Sequence, residues 1–229
     1  MTDSLAFVRI YETRKMRNLY LLLLGAVCAA AQPVTFGVKA GVPLTDPLNA
    51  KQFLPGTSIE AATSTTNPYI LGPTVELRLP ANFFVEFDAL FRHFRYQWAV
   101  NLIGNASQTT ATSNAWEFPL LLKYKLPREV MRLFIDGGVA WDHLQGLSGT
   151  ATALPVFGPP ITTQISNPPE LQNRTSTGVV IGGGVDIHAL FVRISPEVRY
   201  TRWTSQHFAL ADLLNSNQNQ AEFLLGIRF

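Results

Sequence analysis

The sequence predicts an all-β chain: eight antiparallel strands closed into an up-and-down barrel, preceded by a signal-peptide helix. Three observations predict it. Apolar and charged residues alternate with period two through most of the chain beyond residue 33, the mark of strands with two different faces. Tight turns and long polar connectors alternate between those strands. The chain is also apolar without being helical. Of 229 residues, 47% are hydrophobic and 15% charged, against about 25% charged in an ordinary soluble domain. Yet beyond residue 31 no apolar run approaches the ~20 residues of a membrane helix.

Residues 1–31 read as an export segment and residues 32–229 as one barrel domain. In "MRNLYLLLLGAVCAAAQ", Arg17 is the basic region and Leu19–Val27 the apolar region. Ala29-Ala30-Ala31 is a small-residue cleavage site, so cleavage is expected after Ala31. Met16 is a plausible true start, because residues 1–15 are ordinary polar sequence. The apolar region is too short for a membrane anchor. Ala26 and Val27 do not fit a lipoprotein box before Cys28. Cys28 is the only cysteine, so the mature chain has no disulfide framework and no thiol nucleophile. Segment 1–31 holds four of the 18 basic and two of the 16 acidic residues, leaving fourteen of each. That neutral balance gives no reason to expect nucleic acid.

Alternation and turn residues place the strands at about 34–42, 69–79, 83–97, 114–126, 131–144, 177–187, 191–203 and 221–229. Most exceed the five or six residues of a soluble strand and fit the about 9–11 that cross a bilayer. Short connectors fall at "PAN" (80–82), "PREV" (127–130) and "HAL" (188–190). Long ones fall at about 43–68, 98–113, 145–176 and 204–220. Alternating lengths put every tight turn at one end, the asymmetry of bacterial outer-membrane barrels. Pro73, Pro119 and Pro196 lie inside proposed strands, where proline removes a ladder donor; local bulges are expected there. The final stretch, "AEFLLGIRF", alternates up to Phe229. A strand there needs partners on both sides, which pairing with the first strand supplies.

Parity separates two faces. One carries Phe36, Val38, Val75, Phe87, Leu120, Leu122, Ile135, Val179, Ile181, Val198, Phe223, Leu225 and Ile227 among others. The second carries Lys39, Glu76, Arg78, Glu86, Asp88, Arg92, Glu117, Lys123, Asp136, Asp186, Arg193, Glu197, Arg199, Glu222 and Arg228, with Lys125, Arg132 and Asp142 in the same phase. Alternation alone fits either a soluble lipocalin-like barrel, with the apolar face inside, or a transmembrane barrel, with the charges inside. Four features favour the transmembrane reading. The charged face mixes nine basic with nine acidic residues, which suits pairing in a confined lumen. The mature chain has ten Arg and four Lys, and Arg suits multi-partner pairing. Aromatics gather near strand ends, and the closing strand is aromatic. Trp116 and Trp141 point outward at the long-loop end, as in an aromatic girdle, whereas Trp98 and Trp203 fall inward or past the strand. Phe83, Tyr124 and Phe229 would mark the opposite edge.

Together the export segment, the strands, the turn asymmetry and the terminal "GIRF" resemble the small eight-stranded outer-membrane barrels. "GPTVELRLPANFFVEFDALFRHF" (Gly72–Phe94) is similar to a hairpin of that group. The group is the outer membrane protein β-barrel domain, which includes the membrane domain of outer-membrane protein A, and the resemblance covers about Val34–Phe229. It implies an outer-membrane location, contact with outer-membrane lipids, and a terminal Phe229 read by the barrel-assembly machinery. It implies no catalytic signature and no cofactor. A peptidoglycan-binding domain like that of full-length outer-membrane protein A is not expected after the barrel.

Three functions compete. A structural or surface-interaction barrel predicts a lumen plugged by the inner charges, because eight strands leave an interior that side chains can fill, with an unidentified ligand at the loops. A narrow channel predicts a wet path past Arg92, Lys123 and Glu197. A lipid-modifying barrel enzyme predicts Ser205 and His207 in hydrogen-bond contact, with Asp212 as the acid. His93, His143, His188 and His207 do not cluster by phase, so no metal site is expected. "IGGGV" (Ile181–Val185) lacks the rest of a dinucleotide fingerprint and reads as close packing in the wall. The Pro-rich, nearly uncharged stretch "LPVFGPPITTQISNPPE" offers room for a surface ligand. The expected protein is a monomeric structural or surface barrel, not an enzyme.

Overall fold

In the computed structural model the described residues are 34–50, 52–53, 59–102, 105–127, 131–155, 157–166, 171–189, 191–210 and 214–229. The export segment and its cleavage site lie outside them. The wall is built from β1 (Val34–Pro43), β2 (Ile59–Arg78), β3 (Phe83–Asp88, resuming as Leu90–Leu102), β4 (Asn105–Lys125), β5 (Met131–Pro155), β6 (Thr175–Ala189), β7 (Val192–Trp203) and β8 (Asn219–Arg228). Each pairs antiparallel with the next. The ring closes where β8 pairs with β1, from Gly37↔Arg228 to Pro43↔Glu222. Along the span where β1 and β8 pair, closure leaves no open edge among the described residues and lets the backbone groups find partners without water.

The strands alternate faces as expected, and the barrel is inside out. Ile135, Val179 and Ile181 are 68%, 61% and 63% exposed, whereas Lys39, Glu86, Lys123 and Arg199 are 1% exposed or less. A soluble lipocalin-like barrel would show the reverse. An apolar belt that encircles the molecule far exceeds the patches a soluble monomer exposes.

Four strands are longer than the alternation predicts, β3 by its run on to Leu102 and three others by more. β2, β4 and β5 have 20, 21 and 25 residues, about twice a bilayer crossing. Most of 98–113, expected to be a loop, is strand on either side of 103–104, and Gln145–Pro155 continues β5. Beyond the membrane belt the outer face meets water, and much of the inner face of β4 is small or polar, as at Thr109, Ala111 and Ser113. Stretches such as Asn105–Asn114, "NASQTTATSN", therefore carry β-forming threonines without a hydrophobic period to read. β5 crosses into this extension at Gly146, with φ of 61°, next to a register shift between Thr112 and Asn114 on β4. That combination is a bulge that resets the inward phase. The strand Ile161–Ile165 then folds back along Gly149–Ala153.

The prolines do not sit at bulges. Register is continuous across each, and what lapses is a single stretch of ladder. Pairing between β2 and β3 stops at Thr74↔Asp88 and resumes at Leu71↔Phe91. Between them Ala89 N donates to Pro73 O at 3.0 Å, and Pro73 has no N–H to return. Pro119 faces the same point of β3 from the other side, where the ladder lapses between Phe87↔Leu120 and Leu90↔Glu117. Pro196 faces the gap between Gly184↔Glu197 and Ile187↔Ile194. A proline in a closed wall can drop one bond while its neighbours hold the register.

Candidate functional site: the barrel interior and its cap

Inward alternation aims the charged face of every wall strand at the barrel axis. Near the turn end, Lys125 Nζ lies 2.7 Å from Glu76 and 2.9 Å from Asp186. Arg228 pairs with Glu76, with Glu86 at 3.1 Å and with Asp186 at 2.9 Å, and Ser195 Oγ donates to Asp186. In the middle, Lys39 reaches Glu86, Asp88 at 3.1 Å and Glu197 at 3.0 Å. Lys123 reaches Glu86 at 2.9 Å, Glu197 at 3.0 Å and Asp136 at 3.7 Å. Arg199 bonds Glu197 through two nitrogens, at 2.9 and 2.7 Å, and lies 2.9 Å from Asp88. Toward the loop end, Arg92 joins Glu117 to Glu222 and donates to Gln220 at 2.9 Å.

Each of these six buried cations touches at least two carboxylates. Each cation is thereby tied to carboxylates from at least two strands. Apolar groups complete the packing: Lys123 and Lys125 lie 4.3 and 4.2 Å from the ring centres of Phe134 and Phe84, a cation–π distance. Leu121, Ala140, Val180 and Trp203 form one inner cluster, and Ile70, Leu90 and Leu224 another.

Above the Arg92 layer the mouth is capped. Leu48–Ala50, Ala209–Leu210 and Leu214–Ser216 form a small three-stranded sheet. Phe208 is 1% exposed and packs with Leu48, Tyr96, Ala111, Ala115, Leu144 and Leu147, its ring 5.1 Å from that of Tyr96 at 60°. Ser216 Oγ accepts from the backbone N–H groups of His207 and Phe208 at 3.1 and 2.9 Å. Beneath the cap, Arg92, Asp142, His207, Phe208 and Gln220 border a cavity of about 30 Å³. That is room for about one water, with enough polar neighbours to hold it.

The structure buries thirteen of the fifteen predicted network residues: Lys39, Glu76, Glu86, Asp88, Arg92, Glu117, Lys123, Asp136, Asp186, Glu197, Arg199, Glu222 and Arg228. Arg78 is a correction: it has the inward phase but is exposed at the turn-end rim of β2, where the lumen opens to water. Arg193 is half-buried at the same rim. The preference for arginine is a second correction. Lys39, Lys123 and Lys125 equal Arg92, Arg199 and Arg228 in number among the buried cations. Ammonium and guanidinium groups alike reach carboxylates on at least two strands here. Sequence reasoning missed Ser195, Phe84 and Phe134, which share the inward phase but carry no charge to flag them.

On the outside, Trp116 stacks against Phe118 at 6.4 Å and meets Phe91 edge-on at 5.3 Å, and Trp141 is 40% exposed. Phe83 and Tyr124 pair at 5.1 Å at the turn end. Trp203 turns inward and is buried, and the Trp98 side chain lies outside the described ones. Phe229 is exposed, and its N–H donates to Phe36 O at 2.9 Å.

The Ser205–His207 contact that a lipid-modifying enzyme would need is not formed. Ser205 Oγ donates to Ser176 Oγ at 3.0 Å. The His207 ring nitrogens face Asp142 Oδ2 at 3.0 Å and Asn173 O at 2.8 Å. Asp212 lies outside the described residues. His93 pairs with Asn114 and His143 with Thr175. No group of three metal-ligating side chains occurs among the described residues.

No protein-family model and no curated protein matches the chain. Among solved structures it is similar to the outer membrane protein OprG from Pseudomonas aeruginosa, at 14% identity over 85% of this chain and 92% of that one, with a TM-score of 0.45. It is also similar to Ail, the attachment invasion locus protein of Yersinia pestis, at 12% identity over 86% and 97%, with a TM-score of 0.35. The architecture is that of the small eight-stranded outer-membrane barrels. The closed antiparallel wall and its inverted faces carry that statement on their own.

Proposed function

We propose that this chain is an exported outer-membrane barrel with a closed lumen and a structural or surface-interaction role at its loop end. The observation that supports this best is the filling of the lumen. Three successive charge layers, the lower two joined through Arg228 and Glu86, lie beneath an apolar cap. Breaking one pair to let a solute pass would leave buried charge uncompensated, which costs about 3–5 kcal/mol. The recognition surface is then the part beyond the membrane: the extensions of β2 to β5 and the uncharged fold-back strand Ile161–Ile165. Outer-membrane lipids contact the apolar belt, and the barrel-assembly machinery reads the aromatic strand that carries Phe229. The barrel acts as a monomer, without cofactor or catalytic residues, after cleavage behind Ala31. His207 has both ring nitrogens engaged by groups other than Ser205, which speaks against a catalytic dyad.

Planar-bilayer recording on the refolded mature chain tests the proposal. Stable insertion without unitary conductance is expected. A steady conductance altered by Arg92→Ala or Glu197→Gln would overturn it in favour of a narrow channel.

A further inference from the structure

We propose that His207 is a proton-binding latch on the cap: it holds the cap down while its ring carries two protons and releases it on losing one. The inference goes beyond the closed-lumen reading and stands on the cap alone. His207 Nδ1 lies 2.8 Å from the carbonyl oxygen of Asn173, and Nε2 lies 3.0 Å from Asp142 Oδ2. Both partners are acceptors. A neutral imidazole has only one N–H, so only the imidazolium makes both bonds. A neutral ring would turn one lone pair toward a carbonyl or a carboxylate in a half-dry pocket.

The ring ties three parts of the molecule together. His207 follows β7 and begins the cap. Asn173 belongs to the segment that precedes β6, where Gln172 N also donates to His207 O at 2.8 Å. Asp142 belongs to the wall, on β5. The next residue, Phe208, is the apolar stopper of the mouth. Freeing the His207 ring therefore loosens the segment that seats Phe208.

The groups that face the ring set the direction. Asp142 faces it from β5. Arg92 faces it from β3 across the small cavity, and is itself held by Glu117 of β4 and Glu222 of β8. Ser216 and Gln220, from the cap side, are neutral, and Arg174 adjoins Asn173 in sequence. Burial pushes the imidazole pKa down. The hydrogen bond and charge of Asp142, then the Asn173 carbonyl, outweigh that and raise it above the ordinary histidine value, with Arg92 opposing. A raised folded pKa means the latch contributes fully below the ordinary value of about 6.5 and is lost as pH rises through the folded value.

The test uses the refolded full barrel in detergent micelles between pH 5.5 and 9. Ring ¹⁵N shifts of His207 report its protonation, and chymotryptic cleavage after Phe208 reports the cap. The expected result is an imidazolium with both nitrogens protonated at low pH. Cleavage, normalised to a free peptide of the same sequence, should accelerate about tenfold or more as the ring deprotonates, the scale of one lost charge-assisted bond. The β-sheet circular dichroism should not change. His207→Lys keeps a charge and several donors, so its cleavage should stay slow across the range; His207→Gln should be fast throughout. A singly protonated ring at pH 5.5 in the closed protein would overturn the latch. So would a wild-type cleavage profile as flat as that of His207→Gln. If a variant fails to fold, the wild-type ring shifts still decide.

Discussion

Lys123 shows what a single inward residue does here. Its ammonium serves Glu86, Glu197 and Asp136 from three other strands and lies against the Phe134 ring. Truncating the charge while keeping the bulk, as in Lys123→Met, leaves three carboxylates facing one another in a dry space. The expected loss is about 3–5 kcal/mol, read as a lower urea midpoint for the refolded barrel. Replacing the charges of one whole layer by matched apolar side chains should cost far less, because desolvation is then avoided for all of them. The latch at His207 follows the same logic with a proton as the missing partner.

At the scale of elements, the turns and the proline gaps limit how ideal the wall is. The connection between β2 and β3 passes through Ala81 and Asn82, at φ of 58° and 62°. Two successive positive φ values are the signature of a primed hairpin turn, which suits the strand twist. Asn tolerates that region, but Ala pays a Cβ clash of about 1–2 kcal/mol. Ala81→Gly should therefore stabilise the barrel by about 1 kcal/mol after glycine's own entropy cost, seen as a higher urea midpoint. No gain would mean the turn differs in solution. Close backbone approach also constrains β2. A Cβ added at Gly72 would meet Ala89 O at 1.8 Å, at the place where Pro73 leaves the ladder incomplete. The glycine lets β3 come close where the hydrogen bond is missing.

At the scale of the whole molecule, the fold inverts the rule of soluble proteins. Charges form the core and apolar residues the surface, so stability must depend on the solvent outside. Val179, outward on β6 and opposite Val139, lies between the Tyr124 and Trp116 levels of the belt. In a bilayer Val179→Arg should cost about 2–4 kcal/mol near the midplane, whereas a charge on the wet extension of β5, as in Thr150→Arg, should cost little. Equal effects at the two positions, measured by refolding into vesicles, would contradict the placement of the membrane. The long extensions and the cap share one end of the barrel, so any surface partner and the latch would act on the same side.

Strand count, the two faces and most of the inward charges were legible from alternation alone. Period two is strict wherever one face meets lipid and the other a packed lumen, because every misplaced charge there is expensive. Alternation alone is symmetric, but the mixed charges and the placement of the aromatics already pointed to the charged face as the inner one, and the closed barrel has it so. Two things stayed out of reach. The sequence hid the long extensions of β2, β4 and β5, because small and polar residues on both faces, as in Asn105–Asn114, leave no hydrophobic period. It also marked His207, in a polar loop, only as a candidate partner of Ser205. Only the tertiary structure, by folding that loop into the mouth beside Asp142 and Asn173, gave the histidine two acceptors and a role.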